Sequence, residues 1–461
     1  MPLLSRPSLA AAAMAVLPWL SGCSPTGGEG LPRGGATAAA RTPAAPAPLL
    51  AAARPLTGSD RDHDTLVAAG AGATRMLLGE STHGTHEFYR ERARITERLV
   101  REAGFLAVLI EGDWSSTWNV NRYVRGDGPH RSAEEALAGY TEFPQWMWGN
   151  TDFRDFVERL RTLNLARAPR DRVGVYGMDV YDLFDAADAV LGYLGTADRE
   201  AAARAQRHYE CFAAHRPSPH SYGQATLNPS RSCEAAAAAV REEVGRLPPP
   251  TGIAEAELHF AAVRAAASVA VAEAYFRAVY AGGPAWNLRD RQMAVNVDET
   301  AAHVASASGR PGKVVVWSHN THSGDARATQ AAERGELNLG QLMRERHGAA
   351  AFLVGFFTYA GQVMAAPEWD SPGRVYDMRP ARPESHAAFF RSSGMPALSV
   401  TLRGDVELAE TLREPRPQRA VGVVYAPHAE RTAHYFEARL AAQFDAAVYL
   451  ETTGPLRPLP R

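Results

Sequence analysis

Short apolar runs that stop abruptly at clusters of glycine, carboxylate and histidine recur along this 461-residue chain, and they confine it to few architectures. The runs cover residues 75–78, 106–110, 173–176, 314–317, 352–356 and 421–424. Most are continuously apolar, as strands are when helices cover both faces of a parallel sheet; a strand with one wet face would alternate. Helical stretches are expected at 87–103, 115–125, 152–164 and 427–442. This alternation predicts an α/β fold, a mostly parallel central sheet flanked by helices on both faces. Between Asp182 and Ser308 no strand pattern appears, and Ala-rich segments such as 233–246 and 253–280 read as long helices. Residues 182–308 are therefore expected to form a large helical insertion over the strand-end cleft, roofing a pocket and shaping substrate choice.

An apolar fraction of 46% is ordinary for a globular protein, and residues 51–461 are long enough for one large catalytic domain. Lys plus Arg number 49 against 51 for Asp plus Glu, and no basic block interleaved with aromatics occurs, so nucleic acid is not an expected partner. At the amino terminus a basic Arg6 precedes an apolar run, Leu9 to Leu20, that is too short to span a bilayer. Leu20-Ser21-Gly22-Cys23 then resembles the bacterial lipoprotein cleavage box, with an ordinary signal peptide as the alternative. The lipoprotein reading makes residues 1–23 a signal ending in an acylated Cys23, and the protein exported and membrane-anchored, in the periplasm or at the cell surface. Residues 24–50, rich in Gly, Pro, Ala and Thr, read as a disordered tether. Export permits a Cys211–Cys233 disulfide; two buried free thiols are the other reading.

The first strand-end cluster lies in LLGESTHGTHEFYRER, residues 77–92, where Glu80 and His83 follow the run and a charged helix begins. Thr85 suits its cap and Glu87 its first turn, a structural role. Three further clusters follow runs in the same way: IEGDW with Glu111, Asp113 and Trp114, YGMD ending at Asp179, and WSHNTHSGD with His319, Asn320, His322 and Asp325. A lone strand-end His or Asp is more often a loop hydrogen-bonder or a cap. Several in one parallel sheet, however, converge on one crevice. A histidine, with a reference pKa of about 6.5, beside a carboxylate takes a proton from water near neutrality and returns it to a leaving group, as ester or lactone hydrolysis requires. The developing oxyanion needs a donor, for which His319, His322, Arg92 and Arg289 are candidates.

Rival chemistries lack their motifs. There is no G-x-S-x-G elbow, no C-x-x-C and no Walker A loop. His86-Glu87 opens like a zinc helix, but Arg90 stands where the second histidine belongs. A metal site from His83, Glu111, His319 and His322 stays open, because strand-end ligands need no fixed spacing. So does a lipid-anchored binding protein without catalysis. The aromatic stretch FPQWMW, 143–148, with Trp146 and Trp148, and also Trp114, could line a pocket or fill the core.

GESTHGTHEFYRER, IEGDW, YGMD, WNLRDRQMAVNV (286–297), WSHNTHSGD, GFFTYAG and the carboxyl-terminal stretch GVVYAPHAERTAHYFEARLAAQFDAAVYLE, taken as an ordered set, resemble the erythromycin esterase family. The resemblance implies hydrolysis of a carboxylic ester or macrolide lactone by water, without covalent intermediate, cofactor or required metal. It implies His83 as general base, Glu80 and Glu111 orienting the base and the water, and Arg92 as a site arginine. His319 and His322 would polarise substrate or protonate the leaving group. Arg289 and Arg291 receive no role from it, and Asp290 reads as a charge on a helix surface.

Overall fold

The computed structural model describes residues 45–460. The expected signal and Cys23 lie outside the described residues, as does most of the tether. Its expected end at residue 50 is corrected, since Ala47–Ala52 is a helix whose Leu49 is fully buried. Among the described residues no helix is long and apolar enough to cross a membrane.

The strands in chain order are β1 (Arg54–Pro55), β2 (Arg75–Leu78), β3 (Ala107–Asp113), β4 (Gly174–Asp179), β5 (Val314–Trp317), β6 (Ala351–Ala365), β7 (Arg374–Met378), β8 (Ala397–Thr401), β9 (Arg416–Arg419), β10 (Tyr435–Ala438) and β11 (Ala446–Thr453). One nine-stranded sheet has the order β1-β8-β11-β6-β2-β5-β3-β4, with β7 paired to β6. From β11 to β4 all neighbours are parallel. Antiparallel pairing is confined to β8, β1 and β7 in this sheet. The fold is thus α/β with a mostly parallel sheet.

Alternate strand residues feed two cores, one on each face. Val314 and Val316 of β5 join Ala107 and Leu109 in one; Val315 and Trp317 join Val108 and Ile110 in the other. This two-sided burial explains the continuously apolar runs, each large side chain contributing roughly 1.5–3 kcal/mol. The helix His86–Glu102 covers the second core with Phe88, Ala93, Ile95, Leu99 and Val100. Arg92 sits on the same buried stripe.

Two expectations near the carboxyl terminus fail. Residues 421–424 form no strand: Val421 and Val424 make only isolated bridges, to Thr82 and Ala366. The expected helix 427–442 is three short helical turns, Pro427–Ala429, Glu430–Ala433 and Leu440–Gln443, interrupted by β10, which pairs antiparallel with β9. Pairing with a distant segment overrides the local helical preference of this Ala- and Glu-rich stretch.

Residues 183–308 are helices and turns alone, including the long helices Ile253–Ala281 and Ala285–Ser308. The second of these is more than a roof. Its Met293, Ala294, Val297 and Ala301 share a core with Val314 and Val316, so it is also one of the sheet's covering helices. Cys211 and Cys233 are joined in a disulfide with Cα atoms 6.1 Å apart, tying the turn 210–215 to the helix Glu234–Gly245. Closing a loop of 22 residues constrains the unfolded chain by roughly 3 kcal/mol. Reductant is therefore expected to lower the thermal midpoint of the wild-type protein and leave that of the double variant Cys211→Ala, Cys233→Ala unchanged, as differential scanning fluorimetry would read.

Candidate functional site

Strand order builds the site. β5 lies between β2 and β3, and its Trp317 is level with both Leu78 and Ile110. Beyond this level β2 and β5 leave the sheet, while β3 parts from β5 and runs on beside β4 to Asp113. Glu80, Glu111 and His319 therefore meet although they are far apart in sequence. Two close approaches hold the first loop. A Cβ on Gly79 would lie 2.1 Å from Asn320 Oδ1, and one on Gly84 would lie 1.8 Å from the Met364 carbonyl oxygen. Asn320 in turn donates to the Phe356 carbonyl at 2.8 Å and accepts from its amide at 3.2 Å, stapling the loop after β5 to β6.

Two histidine–carboxylate pairs face one another. His83 Nδ1 lies 2.8 Å from Glu80 Oε1, and the other oxygen of Glu80 is 2.7 Å from Arg92 Nη2. His322 Nδ1 lies 2.9 Å from Asp290 Oδ1. Both histidines turn Nε2 toward Glu111 Oε1, at 3.9 Å for His83 and 3.3 Å for His322. Glu111 Oε2 accepts from the His319 amide at 2.7 Å. Arg289 joins the halves: it donates to Asp179 through Nε at 2.8 Å and Nη2 at 2.6 Å, and to Glu111 through Nη2 at 2.8 Å. Its Nη1 is 2.9 Å from His322 Nε2. A guanidinium only donates, so His322 carries its proton on Nδ1, toward Asp290, and offers Nε2 as a lone pair. Trp286 stacks on the His322 ring at 4.5 Å.

The charges are set by these contacts. Burial pushes the Glu111 carboxyl up, but His322, His83 and Arg289 outweigh it and hold it far below the usual carboxylate range. Burial, with His83 nearby, pushes His319 well down, so its imidazole is neutral. The Thr321 amide donates to His319 Nδ1 at 3.3 Å, which places the His319 proton on Nε2. That Nε2 is buried and closes no hydrogen bond, although the Ser81 backbone is near enough to favour its proton. For His322, burial opposes protonation while Asp290 and Glu111 favour it more strongly, raising its proton affinity. The lone pair that would take this proton is the one Arg289 occupies. Protonation thus requires Arg289 to move.

The arrangement supplies a base oriented by a carboxylate, a neutral imidazole donor and a fixed cation. Among the described residues no three His, Cys, Asp or Glu side chains are arranged to hold a metal ion. Arg289 brings positive charge to Glu111 and Asp179, as Arg92 does to Glu80.

The profile of the Erythromycin esterase family matches residues 100–453. The chain belongs to that family. Three solved structures have the same fold. A succinoglycan biosynthesis protein is 19% identical, with a TM-score of 0.73 over 89% of this chain and 97% of that one. A protein from Bacillus cereus is 20% identical, with a TM-score of 0.73 over 89% and 98%. A mutant of the erythromycin esterase EreC in its open conformation is 15% identical, with a TM-score of 0.62 over 89% and 98%. At the level the family carries, the protein is hydrolase-like. The matched span starts after Glu80 and His83, so the geometry of that loop stands on its own.

Glu80, His83, Glu111, His319 and His322 come together as the sequence suggests. Arg92 reaches the site only through Glu80, with its guanidinium over the Tyr89 and Trp317 rings at 4.5 and 4.9 Å, so it is not an oxyanion donor. The three tryptophans do not line the cleft. Trp114 is buried in a core against Tyr176 and Phe260. Trp148 packs on Tyr89 and Phe153 and donates to the Glu111 carbonyl at 2.9 Å, supporting it from behind. Trp146 is 4% exposed and packs beneath Gly373. Asp325 pairs with Arg327 and Arg344 away from the histidines, and Glu87 accepts from the Gly454 amide at 2.8 Å, in keeping with its structural reading.

Sequence reasoning offered Arg289 only as an oxyanion donor, gave Asp179 no role beyond its strand-end cluster, and placed Asp290 on a helix surface. Asp290 is instead 0% exposed. A signal was available: Arg289 and Asp290 precede Met293 and Val297 by three to eight positions on one helix, so both fall on its apolar stripe. Neutral burial of histidine also sets a pH dependence. His319 is lowered, and burial lowers His386 to about 4, against an ordinary value of 6.5. The unfolded chain binds these protons below pH 6.5 and the folded chain does not, so stability is full above 6.5 and falls as pH drops toward 4. His386→Gln, which keeps a donor for the Ala438 carbonyl and has no proton to gain, should flatten this fall in a series of thermal midpoints.

Proposed function

We propose that the protein hydrolyses a carboxylic ester or lactone by water activated at His83. The observation that carries this reading is the His83–Glu80 pair, whose free Nε2 is directed toward Glu111 beside the unpartnered Nε2–H of His319. Glu80 fixes the His83 proton on Nδ1 and leaves Nε2 as the base. A water between His83 Nε2 and Glu111 Oε1, which are 3.9 Å apart, would be held by both groups. His83 takes its proton as the oxygen attacks the carbonyl carbon. The carbonyl oxygen, gaining negative charge, accepts from His319 Nε2–H, a neutral donor that needs no proton transfer of its own. Collapse of the tetrahedral adduct breaks the carbon–oxygen bond, and the proton on His83 passes to the leaving alkoxide. Arg289, itself held by Asp179, keeps Glu111 ionised and in place. In this reading Glu111 orients the water, and His322 with Asp290 holds Arg289 from its other side.

The test is turnover of a panel of macrolactones and simple esters by the chain beginning after Cys23, with and without chelator, beside His83→Ala. The expected outcome is activity that survives chelator and falls by about 10²–10⁴ in the variant, the usual contribution of a general base. Loss on chelation would instead favour a metal-dependent hydrolase, and ligand affinity without turnover a binding protein.

We further propose that the mature protein is lipid-anchored through Cys23 and exported. Radiolabelled palmitate is expected to label the full-length protein in its bacterial host and to be absent from Cys23→Ser; label retained in that variant would exclude this site of attachment.

A further inference from the structure

The catalytic groups lie deep: His83 is 6%, Glu111 5% and His319 4% exposed. An arm leads on from the strand ends. β6 is level with the end of β2 at Val354, runs beside β11 as far as Gly361 and overhangs it to Ala365. β7 pairs with this overhang, and the tip, residues 366–373, is anchored by the Ala366 amide on the Val423 carbonyl at 2.8 Å. Asp370 turns the tip with φ at 63°.

Trp369 at this tip makes three ring contacts with segments outside the arm. Its centroid is 5.0 Å from Phe143, 6.2 Å from Tyr181 and 6.4 Å from His220. Phe143 lies ahead of the helix Gln145–Trp148, Tyr181 in the loop after β4, and His220 in the helical insertion. Trp369, Phe143 and Tyr181 are half-buried, unlike the rings of the two cores. Tyr181 joins this set to the chemistry: its ring lies 5.1 Å from the Arg289 guanidinium, and its amide donates to Asp113 at 3.1 Å, which fixes the loop.

We propose that Trp369, with Phe143 and Tyr181, forms a subsite for the flat face of an apolar ring in the substrate, and that Trp369 thereby sets a preference for ring-bearing esters over small open-chain ones. This rests on the hydrolase reading. The physical ground is that three partly exposed aromatic rings from three segments meet, and that one of them, Tyr181, adjoins Arg289 of the site. Aromatic rings bury large areas of flat apolar surface with few rotatable bonds. The present contacts of Trp369 are edge-on or tilted, so a substrate ring entering here adds a stacking contact, whereas a small open-chain ester has no flat surface to offer it. The ring contacts of Trp369 are with Phe143, Tyr181 and His220 and not with His83, Glu111 or His319, so Trp369 acts on binding and not on proton transfer.

The experiment compares 1-naphthyl acetate with ethyl acetate on wild type, Trp369→Ala and Trp369→Phe, and follows 1-naphthol binding by its fluorescence. Trp369→Ala is expected to raise KM for 1-naphthyl acetate and Kd for 1-naphthol about tenfold, the scale of one lost stacking face, with kcat for the naphthyl ester and kcat/KM for ethyl acetate unchanged. Trp369→Phe should restore most of the loss. A parallel loss on both esters, or no change on either, would overturn the proposal. If wild type hydrolyses neither ester, the hydrolase reading fails for these esters, and 1-naphthol decides the subsite alone: tenfold weaker binding in Trp369→Ala supports it and unchanged binding overturns it.

Discussion

The Arg289 guanidinium is the constraint on which the site depends. Its N–H groups reach Asp179 at the end of β4, Glu111 at the end of β3 and the lone pair of His322 after β5. Taking such charges out of water costs several kcal/mol for each ion, and a buried pair holds only where the geometry is good and the remaining donors and acceptors are matched. Arg289 meets that condition, and the aromatic face of Tyr181 adjoins it. Because Arg289 lies on the last helix of the insertion while its acceptors lie at the sheet edge, one residue couples the two parts of the chain. Without it Glu111 and Asp179 would stand buried and uncompensated within one pocket.

The sheet supplies the accuracy that such an arrangement demands. β5, the later strand in sequence, lies between β2 and β3, and its Trp317 is in register with Leu78 and Ile110. Register in a parallel ladder is held by hydrogen bonds along the whole strand and by the faces its side chains must bury, so the loop residues that follow start from fixed positions. The loops are then tied down by few interactions: Asn320 to β6, Gly79 under Asn320, and Val421 on either side of the Ser81–His83 backbone. The extended segment at Val421 does here what a strand would do, with two hydrogen bonds in place of a ladder.

The elements that the sequence shows most plainly are those whose surroundings are uniform. Strands covered on both faces read as unbroken apolar runs, and the amphipathic helix His86–Glu102 reads from its spacing. The carboxyl-terminal third was less legible. Tyr435–Ala438 sits among helix-forming residues and becomes a strand because Arg416–Arg419 pairs with it. The tryptophans at 114, 146 and 148 show the same ambiguity in side chains: a large aromatic suits a core and a pocket equally well, and nothing local separates the two. Asp290 misled for a related reason. A charged residue in a helix is usually solvated, and only the stripe it shares with Met293 and Val297 marks it as buried.

From its sequence alone the chain is determined to be an α/β protein with polar clusters at the ends of its strands, and Glu80, His83, Glu111, His319 and His322 stand among the candidates in those clusters. Local periodicity and the break from apolar run to polar cluster are enough for that, because both are written in consecutive residues. The tertiary structure decided that β5 lies between β2 and β3, which makes one site of three loops. It also decided that Arg289, Asp179 and Asp290 belong to this site and Trp114 and Trp148 do not, and that the tip of the arm from β6 brings Trp369 against Tyr181, which adjoins Arg289. These depend on strand order and on contacts between distant segments, which are set by the balance of buried area, hydrogen bonds and charge over the whole chain and leave no periodic trace in any one stretch.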